Sequence, residues 1–80
     1  MSEYTENLGR QLTYKRERLR IETKCNALRD SLRRALPVEE EAAKLDGATI
    51  LQTALALEQS LGELAEMDRR LGVIDGLIGR

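Results

Sequence analysis

Apolar residues recur every three or four positions through the second half of the chain. One helical turn takes about 3.6 residues, so this spacing keeps the side chains on one face of a helix. Further apolar residues flank the main line, which favours the broad face of a helical bundle over a narrow two-stranded coiled coil. The stripe consists of Ile50, Ala54, Leu57, Leu61, Leu64, Leu71, Ile74 and Ile78.

Asp68 interrupts this stripe at a position where the spacing calls for an apolar residue. Two interpretations follow, and the sequence does not choose between them. Asp68 meets an arginine across a helix interface and fixes its register, as single polar core positions do in coiled coils. Alternatively, Met67 turns inward and Asp68 stays in water.

The first half of the chain carries a second apolar pattern. From Ile21 to Leu36 the spacing is 4-3-4-4, whereas upstream of Ile21 it drifts, so the upstream part is less committed to burial. The pattern predicts a helix over about residues 3–35. Four of its residues join the stripe in a predicted self-association interface: Ile21, Cys25, Leu28 and Leu32.

Pro37 separates the two patterns. Its ring disfavours helical geometry at the preceding residue, so the first helix should end just before it. A short helix or turn is expected over about residues 37–46, and a second long helix over about residues 48–78. Gly47 leaves a choice open, because a helix running through it costs only about 1 kcal/mol.

These elements predict an all-α fold in a single helical domain, residues 1–80. Two long antiparallel helices of nearly equal length form a hairpin, joined by a short helix or turn. A core in 80 residues is only marginally stable. We therefore expect a second copy to complete it as a homodimeric four-helix bundle.

Charge is sorted along the chain. Residues 1–36 hold nine basic and five acidic side chains, and residues 37–80 hold four and nine. Opposite charge favours antiparallel pairing of the two halves, although individual exposed pairs are weak. The basic first helix is also a candidate contact for nucleic acid or an acidic partner. The residues proposed for that contact are Arg10, Lys15, Arg16, Arg18, Arg20 and Lys24.

Two glycines of the second helix, Gly72 and Gly76, lie four residues apart on one face. Two helix backbones could approach closely there, although fraying of the C-terminal turn is the simpler explanation. The apolar segment 71–78 is a candidate docking patch.

Catalytic and metal-binding patterns are not found. The chain has no histidine, no phosphate-binding glycine loop and no metal-ligand spacing, so we expect neither an enzyme nor a cofactor. The single Cys25 is expected in the core, with an interchain disulfide as the alternative. No segment approaches the roughly 20 apolar residues that span a bilayer, and a cytoplasmic location is expected.

The sequence therefore favours a non-enzymatic helical interaction module of the adaptor, scaffold or small chaperone kind. Its partners would be a second copy and a further protein that is not identified. The alternative is a nucleic-acid-binding hairpin that uses the basic face of the first helix.

Overall fold

The computed structural model describes residues 2–79. Helix α1 spans Ser2–Ala35 and helix α2 spans Gly47–Ile78, and a short 3-10 turn at Ala42–Lys44 lies between them. The two helices pack against each other as an antiparallel hairpin measuring 62 × 16 × 14 Å. The predicted all-α hairpin is thereby confirmed.

The ends of the helices follow from local chemistry. The last turn of α1 closes with the Leu36 amide donating to the Arg33 carbonyl, directly before Pro37. At the start of α2, Asp46 is the N-cap and its carboxylate accepts the backbone N–H of Thr49 at 3.2 Å. This bond satisfies one of the free amides of the first turn. Helix α2 therefore begins at Gly47 and does not run through it.

The inner face of α2, which packs on α1, has the 3-4 spacing of a coiled coil. All of its nine positions are buried or half-buried. This regular spacing is typical of a left-handed, two-stranded seam. The inner face consists of Ile50, Thr53, Leu57, Ser60, Leu64, Met67, Leu71, Ile74 and Ile78.

The predicted stripe thus requires a correction. One column of it lies on the inner face, but the column through Ala54, Leu61 and Asp68 is displaced by the column through Ser60 and Met67. Leu61 is 49% exposed and Met67 only 7%. The contact within the chain is a narrow seam and not the broad face that was expected.

The physical reason lies in the charges of the displaced column. Turned inward, it would bring the carboxylates of Asp68 and Asp75 between the helices. The column that packs instead brings Met67 and Ile74, with hydroxyl groups as its polar members. Removing a carboxylate from water costs far more than removing a hydroxyl, so the helix rotates to keep the carboxylates at the edge.

The core lies near the middle of the hairpin. Ile21 and Cys25 of α1 are buried against Met67 of α2. Toward the N-terminus, α1 places Gln11 and Arg18 beside α2 and leaves Leu12 and Leu19 more than half exposed. The drift in spacing upstream of Ile21 therefore corresponds to a polar part of the seam.

Candidate interaction surfaces

A second set of positions on α2 also has coiled-coil spacing, and it faces away from α1. Its members follow one another at 4-3-4-3-4-3-4, and every one of them is exposed. Apart from one acidic and one basic residue, they are leucine, alanine or glycine. We call this set the outer face of α2: Leu51, Leu55, Glu58, Gly62, Ala65, Arg69, Gly72 and Gly76.

The leucines of the outer face are uncovered by the chain itself. Leu51 is 59% exposed and Leu55, one turn further along, is 50% exposed. Single exposed leucines are common on protein surfaces, but two leucines at one end of a row of small, exposed residues make a surface that can bind another chain.

The glycines of the outer face have no packing role within the chain. Beyond the adjacent residues and the backbone of α2 itself, a Cβ atom added at Gly62, Gly72 or Gly76 would meet no heavy atom of the described residues within 4 Å. Each glycine costs a helix about 0.5–1 kcal/mol relative to alanine. The hairpin therefore carries a cost along the outer face that its own packing does not explain.

Two side-chain contacts set the register of the hairpin. Arg18 Nε donates to Asp68 Oδ1 at 2.5 Å, and Gln11 Nε2 donates to Asp75 Oδ1 at 2.7 Å. Gln11 lies seven residues before Arg18 on α1, and Asp75 lies seven residues after Asp68 on α2. This spacing is what an antiparallel seam with a seven-residue repeat requires. Hydrogen bonding to Asp68 raises the pKa of Arg18. Both interpretations of Asp68 are therefore correct in part: it binds an arginine, while Met67 occupies the core.

The cationic side chains proposed for nucleic-acid contact do not share one environment. Arg18 is paired with Asp68 and Glu22, and Arg20 with Glu17. Arg10 donates to the Asn7 side chain at 3.3 Å. The remaining three are exposed and have no ion pair among residues 2–79: Lys15, Arg16 and Lys24.

Other charges are paired within α2. Hydrogen bonds from Arg69 and then Arg70 hold the pKa of Glu66 below its usual value. Arg70 also reaches across to α1, where its guanidinium lies 6.0 Å from the ring centre of Tyr14. Such exposed contacts orient side chains more than they stabilise a fold.

The residues predicted for self-association lie mostly in the seam of the chain's own hairpin. Ile21, Cys25 and Ile74 are buried there, and Leu61 is the exposed exception. Because Cys25 is free and buried, its thiol is not presented to a partner. The half-buried members are Leu28, Leu32, Ile50, Ala54, Leu57, Leu64, Leu71 and Ile78.

Ser60 was not singled out by the sequence pattern, yet it is the most buried residue described. Its side chain is 1% exposed, and its hydroxyl has no hydrogen-bond partner among residues 2–79. Only its position three residues after Leu57 and four before Leu64 signals its place in the seam. An unpaired hydroxyl in this place makes the middle of the hairpin weaker than its burial suggests.

Residues 2–79 contain no group of three or more histidine, cysteine, aspartate or glutamate side chains placed to hold a metal ion. In the same range, neither long helix has a stretch apolar enough to cross a bilayer. The concave surfaces near residues 29–39 and 59–70 are open grooves on the side of the hairpin. The most distinctive surface of the described chain is the outer face of α2.

No protein-family model, no curated protein and no solved structure matches this chain.

Proposed function

We propose that the chain is a non-enzymatic helical interaction module that acts through self-association and an exposed helix face. Adaptors, scaffolds and small chaperones act in this way. The observation that carries the proposal is the outer face of α2, where the leucines are uncovered and the glycines open. The free Cys25 fits a cytoplasmic location, which we include in the proposal.

Binding of nucleic acid is the second candidate. The exposed cations Lys15, Arg16 and Lys24 on α1 could contact phosphates. Two observations place this function second. The neighbouring Arg18 and Arg20 are already paired with carboxylates, and no aromatic or amide cluster accompanies the cations to read bases.

Site-specific photo-crosslinking in the cells that produce the protein tests the first candidate. A photoreactive amino acid is placed at Leu55 on the outer face, or at Thr23 on the exposed side of α1 as the matched control. We expect a discrete protein adduct from position 55 and none from position 23. If both positions give no adduct, or the same adducts, the proposal is wrong.

Light scattering separates the second candidate from the first. The mass of the purified protein is measured with and without a short duplex RNA or DNA, at low and moderate salt. If the chain is an interaction module, its mass at each salt concentration should be the same with and without the nucleic acid. A mass increase that salt abolishes, and that is lost when Arg16 and Lys24 become glutamine, would support nucleic-acid binding instead.

A further inference from the structure

We infer that the outer face of α2 binds the same face of a second copy, antiparallel, about a two-fold axis between Gly62 and Ala65. This inference rests on the proposed function and names its partner and geometry. The outer face is symmetric: its eight positions map onto themselves when α2 is reversed about a point midway between these two residues.

Reversal places large side chains opposite gaps. Leu51 falls opposite Gly76 of the partner subunit, and Leu55 opposite Gly72 of the partner subunit. Both leucines are at least half exposed, and both glycines are open to solvent on the side where a Cβ would lie. A leucine packed against a helix backbone at a glycine lets two helices approach closely and excludes water from the leucine.

Reversal also pairs opposite charges. Glu58 falls opposite Arg69 of the partner subunit, and because the interface is isologous, this pair occurs twice. Within one chain the two residues are separated by eleven positions, about 16 Å along α2, so they cannot pair there. Among the described residues Glu58 has no ion pair, and Arg69 binds only Glu66, on its own helix.

The same register agrees with coiled-coil geometry. Successive positions of such a face are alternately three and four residues apart. In an antiparallel pair, the first residue of a three-residue interval on one helix packs beside the second residue of such an interval on the other helix. The three layers whose residues flank such intervals, 55 with 72, 58 with 69 and 62 with 65, obey this rule. The parallel alternative fails, because it would place Glu58 against Glu58 and Arg69 against Arg69 of the partner subunit, and like charges repel.

The size of the contact sets the expected strength. From residue 51 to residue 76 the outer face is about 38 Å long, and a helix is about 10–12 Å wide. The two faces together would bury roughly 800 Å², which is less than the roughly 1,000 Å² of a stable specific interface and belongs to weak, transient association. We therefore expect a reversible dimer with a dissociation constant of about 1–100 µM.

Charge exchange measured by sedimentation equilibrium, at about 1–500 µM protein, tests the pairing. We expect Glu58→Arg alone and Arg69→Glu alone each to weaken the dimer at least about tenfold. The double variant should return to within about threefold of the original constant, because it restores both pairs across the axis. Circular dichroism at low concentration checks that every variant keeps its helices.

Glycine replacement provides an independent test with opposite signs. Gly72→Ala should raise the melting temperature of the monomer through helix propensity, and at the same time weaken the dimer by filling the gap for Leu55 of the partner subunit. Gly9→Ala on α1 is the matched control, since Gly9 is also helical, exposed and open. We expect it to raise the melting temperature without changing the dissociation constant.

Three results would overturn the inference. The protein could stay monomeric up to 500 µM, a concentration well above the expected constant of about 1–100 µM. It could dimerise without responding to either single charge exchange. The crosslinker at Leu55 could capture a different protein and no second copy, in which case the exposed helix face stands as the interaction surface of the proposed module and self-association through it fails.

Discussion

The inner and outer faces of α2 have the same kind of three- and four-residue spacing, but the inner face is packed against α1 and the outer face is exposed to solvent. The inner face carries mainly leucine, isoleucine and methionine and is covered by α1. The outer face has leucine at its N-terminal end and mostly glycine and alanine further along, and it is exposed along its whole length. Spacing alone therefore does not determine which side of a helix becomes a core. The side chains that each face can offer to the nearest helix decide it.

The difference in composition also separates two kinds of contact. Large side chains on the inner face fill the space beside a helix that is tethered by a short connector, so they meet at high effective concentration. Glycines on the outer face give no packing to the hairpin, and they are useful only where another backbone comes close. We interpret the inner face as the source of the fold and the outer face as the source of its interactions.

The largest expected effect comes from truncating matched leucines on the two faces. Leu64→Ala should lower the free energy of unfolding by about 2–3 kcal/mol, because Leu64 packs against the Ile21–Cys25–Met67 cluster. Leu55→Ala should change it by less than about 0.5 kcal/mol. Urea denaturation at about 1 µM protein, at or below the expected range for dimer formation, measures both. Equal losses would show that the two faces do not differ as described.

A smaller effect, of opposite sign, is expected inside the inner face. Ser60→Ala should raise the free energy of unfolding by about 1 kcal/mol, because it removes a buried hydroxyl without a partner and improves helix propensity. The control is Ser31→Ala, where the hydroxyl accepts a hydrogen bond from Arg34 at 3.3 Å and is less buried. The same urea titration measures both, and a loss of stability in Ser60→Ala would contradict the structure of the seam.

The smallest effect concerns the N-cap at the start of α2. Hydrogen bonds from the hydroxyl and the backbone N–H of Thr49 hold the pKa of Asp46 below its ordinary value of 3.8. A carboxyl whose pKa is lowered by folding stabilises the native state above its unfolded pKa, and this contribution is lost as the pH falls through the folded pKa. We therefore expect the hairpin to lose part of its stability below about pH 4.

Asp46→Asn isolates this contribution, because asparagine also caps helices but does not titrate. The difference in melting temperature between the original protein and this variant should be constant from about pH 5 to pH 7 and should decrease below about pH 4. A difference that stays constant down to about pH 2 would mean that the cap does not depend on the charge of Asp46.

Much of the hairpin could be predicted from the sequence because its signals are local. Pro37 marks the end of α1, and the column of large apolar residues from Ile50 through Leu57 and Leu64 identifies one side of the seam. Such signals act within a few turns of helix, so they need no knowledge of the rest of the molecule. The possibility that Asp68 meets an arginine was also visible, although its partner Arg18 was not.

The outer face was only partly visible in the sequence. Gly72 and Gly76 stood out as unusual helical residues, but Leu51, Leu55 and Ala65 were indistinguishable from the flank of a broad core. Their separation from the inner face required knowing how far α2 is rotated toward α1. Without that rotation, every apolar residue of α2 competes for the same role.

The sequence by itself determined that this chain forms two long helices, where they end, and that they fold back on each other. Only the tertiary structure decided which of two neighbouring columns on α2 faces inward. Both columns are compatible with helix formation, and they differ in what they would bury beside α1: Asp68 and Asp75 in one, Met67 and Ile74 in the other. Because removing carboxylates from water is costly, the column with Met67 and Ile74 packs against α1, and the outer face is left exposed to solvent.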